Sequence, residues 1–256
     1  LDRLGVKFVG VADSPEAARA CSIINVGAYS VAVFGATTVS TLTARNRFYA
    51  ATPDDDLYRE IEREKNKGRI CILHLHTGGG DYCHPAPFVR KLMREIAKTN
   101  VDVILGHHPH VVQGCETISN TKVFYSLGDF IFDKFNDGRE LALVAKFNFD
   151  FEGVLVRDER VPVKRQKSFV VELLEGSALS RFDLRLLEFD RAIVTGDSDM
   201  FYRTNLGNPL VSLISSIRQD FHAGGFVAIA NKVRRIDVRR LRTLFELLFA
   251  TLKRRG

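Results

Sequence analysis

The 256-residue chain has no tryptophan, two methionines and four cysteines, and none of the cysteines forms a CxxC pair. That spacing excludes cysteine-paired zinc ribbons and thioredoxin-like redox centres. Cys21 and Cys71 sit in apolar stretches, where small buried thiols are common, and a reducing compartment is the simpler expectation. A surplus of positive charge is also missing from most of the chain. Residues 231–256 hold nine Lys and Arg against Asp237 and Glu246, while the rest balances to within one charge although the whole chain carries +6. Nucleic-acid binding is therefore not expected, since the cations are confined to the tail and its aromatics, Phe245 and Phe249, lie on an apolar face. With 45% hydrophobic and 27% charged residues the composition is that of a folded protein of one large domain or two small ones.

What is present is histidine at the ends of apolar runs. Residues 101–105 read as a buried strand and lead into Gly106-His107-His108-Pro109-His110. Pro109 fixes its own φ and biases His108 away from helix, so an extended or turning backbone can aim His108 and His110 at one point. A second pair, His74 and His76, closes the apolar run 70–73 and is followed by Thr77 and three glycines. Between the two, residues 87–98 place Phe88, Val89, Leu92, Met93 and Ile96 at helical spacing. Strand, helix, strand is a right-handed βαβ crossover that brings both strand ends to one edge of a parallel sheet, where open α/β folds bind ligands. His76, His108 and His110 are the expected metal ligands, as neutral imidazole suits such ions. His74 is read equally well as a core residue or as one supporting a ligand from behind.

Elsewhere, Ser14 and Pro15 signal a helix start, Asp54 to Asp56 open a helix running to about Lys65, and Gly68 closes it. Residues 7–12 read as a core strand, 30–34 as another, 39–53 as a loop and 122–128 as a further strand. Residues 141–149, 153–156 and 169–174 alternate as antiparallel strands do, giving a β-rich second layer. From 177 to 209 the pattern is weak. Leu241, Leu244, Phe245, Leu248 and Leu252 follow helical spacing between basic clusters, a C-terminal basic amphipathic helix that would cover a core, meet an anionic membrane or dock an acidic partner. The chain begins on Leu1 with strand-like sequence at once, so it is expected to be N-terminally incomplete, and an upstream signal or anchor stays open.

Residues 103–114, V-I-L-G-H-H-P-H-V-V-Q-G, then Glu116 and residues 124–133, F-Y-S-L-G-D-F-I-F-D, closely resemble the CapA family of capsule or poly-gamma-glutamate biosynthesis, which is similar to calcineurin-like metallophosphatases. His76-Thr77-Gly78 stands where that family has His-Trp-Gly, and Asp129 where it has asparagine. The resemblance covers residues 1–135 and more weakly reaches 165. The family's Gly-Asp, Asn-Leu-Glu and Asn-Asn-His elements have no counterpart here.

The resemblance implies an α/β fold, a partial metallophosphatase-like αββα sandwich, with residues 1–175 as its C-terminal part and 176–256 as an extension carrying the basic helix. It implies a metal-dependent hydrolase or transferase, in its complete form, acting on a polyanionic or phosphorylated substrate of the bacterial envelope. The cofactor would be Mn, Fe or Zn, dinuclear in the complete protein. His107 and Asp81 are the acid, base or supporting groups, and His74, Gln113 and Asp129 stand beside the metal ligands. The competing reading is a non-catalytic assembly or export component docked to a membrane or synthase complex through residues 231–256. Either way the expected location is cytoplasmic or peripheral on the cell membrane.

Overall fold

The computed structural model describes residues 4–39, 48–79, 82–132, 140–166 and 169–201. The chain divides into two units, Leu1–Ser198 and Asp199–Gly256, and the account below concerns the first. The expected basic helix of residues 231–256 and Asp81 lie outside the described residues.

Val11–Ala12 (β1) leads into Pro15–Arg19 (α1). This helix starts as its sequence predicts: the Ala17 N–H donates to the Ser14 hydroxyl at 3.1 Å and proline occupies the first turn. Ser22–Val26 (β2) turns back through Gly27, with φ +58°, into Tyr29–Thr37 (β3), and Tyr49–Ala50 (β4) pairs with β1. Asp55–Lys65 (α2) is capped by Asp54, which accepts from the Leu57 N–H at 3.0 Å. A bidentate contact from Arg19 holds the Asp54 carboxyl down to about 2. Ile70–His76 (β5), Pro87–Ala97 (α3) and Val103–His107 (β6) form the expected βαβ unit. Cys115–Ile118 (β7) and Thr121–Phe124 (β8) follow as a hairpin, then Leu141–Phe149 (β9), Leu155–Arg165 (β10), Val171–Leu173 (β11) and the helix Gly176–Thr195 (α4).

One six-stranded sheet runs β2-β3-β5-β6-β8-β7, parallel from β3 to β8 with an antiparallel strand at each edge. A second sheet, β11-β10-β9, is antiparallel. Its inward residues Ala145, Phe147, Phe149 and Leu155 pack on Val103, Leu105, Cys115 and Phe124 of the first, so the β-rich second layer lies on the central sheet.

The structure redraws several expected bounds, among them the strand expected at 122–128, which ends at Phe124. Of residues 7–12 only Val11 and Ala12 are strand. Phe8 and Val11 are 47% and 42% exposed, and the ladder to β4 holds only Val11 and Ala12. β3 continues past Phe34 through Gly35, Ala36 and Thr37, all paired with β5. Gly10 packs closely on this stretch: a Cβ on it would stand 3.0 Å from the Gly35 carbonyl carbon, and one on Gly35 would meet the Val9 backbone at 3.1 Å. The 177–209 region carries α4, whose Phe182, Leu186, Phe189 and Ile193 are buried, the first three against Val112 and Leu143. Arg90, itself buried, donates to the Ile193 carbonyl at 2.6 Å near the helix C-terminus, where a cation is favoured.

Candidate functional site

The parallel strands β3, β5 and β6 end at one edge, with Thr37 opposite His76 and His76 opposite His107. Since strand side chains alternate, His74 and His76 share the face that Ile72 presents to the second sheet, and His107 continues the face of Val103 and Leu105. The edge is pinned by backbone hydrogen bonds: the Thr38 N–H donates to the His76 carbonyl and the Thr77 N–H to the His107 carbonyl, both at 3.0 Å. Gly106 is required just before the histidines, because a Cβ there would lie 2.1 Å from the Tyr125 carbonyl oxygen.

Two groups of imidazoles result. His74 and His107 stack with centroids 5.2 Å apart, and His74 Nδ1 lies 3.0 Å from His107 Nε2, so one ring donates and the other accepts. Burial lowers the pKa of both, and that of His107, with the His74 charge adding to the effect, falls to about 4. The second group runs His76, His108, His110: the first two rings meet edge to face with centroids 4.7 Å apart, and the last two are tilted with centroids 6.3 Å apart. Burial, then the neighbouring His108 and His110, lowers the His76 pKa as well. His74, His76 and His107 line a cavity of about 240 Å³ with Gly10, Gly35 and Thr37.

His108 has φ +101°, outside the extended region that the following proline predicts. A bulky residue held there costs of order 1–3 kcal/mol and persists only where its surroundings over-determine it. Those surroundings are visible. Ser126 Oγ donates to the Pro109 carbonyl at 2.9 Å, the Gly128 N–H donates to Ser126 Oγ, and Asp129 Oδ1 takes His110 Nδ1 at 2.9 Å. The Ser-Leu-Gly-Asp run is thus a clamp on the His-Pro-His loop. Its turn chemistry is the signal that could have assigned Ser126 a part.

Of the expected site residues, the fold brings together His74 with His107, and His76, His108 and His110 with Asp129. Gln113 is buried and works elsewhere, its Nε2 donating to the Tyr82 carbonyl at 2.7 Å. Among the described residues, no three His, Cys, Asp or Glu side chains are grouped so as to hold a metal ion. What the edge does show is imidazole donors beside one carboxylate. The imidazole of His76 is held toward its neutral form at the open edge, and His110 Nδ1 is engaged by a carboxylate, which leaves its Nε2 outside that contact. The other Asp129 oxygen is buried without a hydrogen-bond partner among the described residues, as an acceptor waiting on a cation or water would be.

The family model for bacterial capsule synthesis protein PGA_cap matches residues 1–134, just over half the chain and all of this edge. The chain belongs to the PGA_cap family. Similar proteins include the PGA biosynthesis protein CapA of Bacillus subtilis (strain 168), 31% identical over 134 residues, covering 50% of this chain and 35% of that protein. The capsule biosynthesis protein CapA of Bacillus anthracis is 33% identical over 84 residues, covering 31% of this chain and 20% of that protein. The chain therefore spans about a third or less of the length of these relatives. The PGA_cap match takes in Asp129 and the Ser126 turn and stops before β9, so the second sheet and α4 lie beyond it.

Proposed function

We propose that this capsule-synthesis family member supplies the histidine edge of a metal-dependent hydrolase or transferase that acts on a polyanionic or phosphorylated substrate of the envelope, poly-gamma-glutamate among the candidates. The observation that carries the reading is the His110–Asp129 contact at 2.9 Å beside His76 and His108. A carboxylate behind an imidazole fixes its tautomer and raises its basicity as a ligand. His76, His108 and His110 would hold the ion, with Mn, Fe or Zn suited to imidazole. Such an ion supplies an activated water and neutralises charge developing on the substrate.

The chain's own residues do the rest. Burial keeps His107 neutral at neutral pH and the hydrogen bond to His74 orients it, which suits a supporting, hydrogen-bonding role beside the ligands rather than that of a strong base. Thr37 and the close backbones of Gly10 and Gly35 line the cavity and set how near a substrate comes to these rings. The stacking of the second sheet on the central one supports a metallophosphatase-like sandwich. Titration of the full chain with manganese or zinc, followed by calorimetry, tests the reading. Binding that weakens at least tenfold in His108→Ala is expected, and equal binding by the variant overturns it.

A further inference from the structure

Between α4 and the second sheet lies a cleft of about 360 Å³ with an apolar floor of Leu141, Leu174 and Phe182. Three cations, Lys164, Arg181 and Arg185, stand on its walls against one carboxylate, Glu140. Elsewhere on this body ordered cations meet acids: Arg19 with Asp54, Lys65 with Asp102, Arg94 with Glu116, Lys122 with Asp158 and Arg160 with Asp190. In the cleft the pattern changes. Arg181 bonds the Ser177 hydroxyl at 3.2 Å, Arg185 lies over the Phe189 ring at 5.6 Å, and neither they nor Lys164 form an ion pair with an acid among the described residues.

Arg181 and Arg185 are one helical turn apart on α4, which spaces their stems by about 6 Å. Cations in a row above apolar side chains suit a chain that repeats a carboxylate on a methylene spacer, with guanidinium forks taking the carboxylates and the floor taking the methylenes. A single compact anion would instead call for donors aimed at one focus. The cleft's Leu141 also lies against the turn that carries Asp129. Gly128 bridges to Ala142 and presses on the Leu141 carbonyl, where a Cβ on the glycine would come within 2.7 Å, and the next residue is Asp129.

We propose that this cleft is a subsite for successive carboxylates of an acidic polymer, leading toward the histidine edge. This rests on the capsule-polymer reading above. The test is fluorescence anisotropy of the full chain with a labelled glutamate oligomer, with manganese binding measured separately on the same preparation. The oligomer should bind, with affinity falling as salt rises. The Arg181→Glu/Arg185→Glu variant should weaken binding tenfold or more, whereas Lys91→Glu/Lys98→Glu, an equal charge change on α3 and its C-cap, should bind as wild type does. Both altered pairs are exposed, so folding should survive, and circular dichroism checks it. Equal binding by the α4 variant, or displacement of the oligomer by inorganic phosphate at equal anion concentration, overturns the proposal. Oligomer binding without manganese binding would discard the metal reading and keep the cleft. Manganese binding without oligomer binding would do the reverse.

Discussion

Asp129 is the residue on which the histidine edge turns, because its carboxylate both orients His110 and sits mostly out of solvent. Asp129→Asn keeps the shape and removes the charge, so metal affinity read by calorimetry should fall 10- to 100-fold with little change in the unfolding midpoint. His107 makes a different expectation. Its folded pKa of about 4 lies below the ordinary 6.5, so the folded state favours the neutral ring. The stability this contributes is complete above pH 6.5 and is lost as pH falls toward 4. Urea titrations at pH 7, 5.5 and 4.5 should show that decline, and His107→Asn should make it shallower. The histidines were legible because they end apolar runs. The strain at His108 was not, since a residue before proline reads as extended until the Ser126 clamp is seen.

At the scale of elements, sequence reading succeeded where period and cap agree. Ser14, Asp54 and Gly68 mark α1 and α2, and the β5-α3-β6 unit follows from its two periodicities. It failed where charge overlays the pattern. In β10, Arg157, Asp158, Glu159 and Arg160 with Pro162 obscure a strand of 11 residues, because ion pairs to Lys122, Lys146 and Asp190 satisfy three of those charges at the sheet. In α4 the buried Phe182, Leu186, Phe189 and Ile193 keep helical spacing, but the exposed Leu184, Leu187 and Val194 blur its amphipathic face. Leu186 is 1% exposed, so Leu186→Ala should cost about 2–5 kcal/mol in denaturant unfolding.

For the whole molecule, the question is how much chemistry one edge can perform. Metallophosphatase-type hydrolysis draws on two cations sharing a carboxylate, whereas the described residues offer three imidazoles and one supporting carboxylate. This chain should therefore take up one manganese ion per molecule, measured by metal analysis after gel filtration, and turn over a phosphate ester weakly or not at all. Robust turnover would show that the edge suffices alone. The family match ends at residue 134, yet Gly114 lies so near α4 that a Cβ there would fall 2.7 Å from the Phe189 backbone, and Asp190 accepts the Cys115 N–H at 2.7 Å. Kinship and autonomy thus have different borders. A protein trimmed to the homologous stretch would bare the apolar seat beneath Phe182 and Leu186 and would be expected to clump, however intact its histidines.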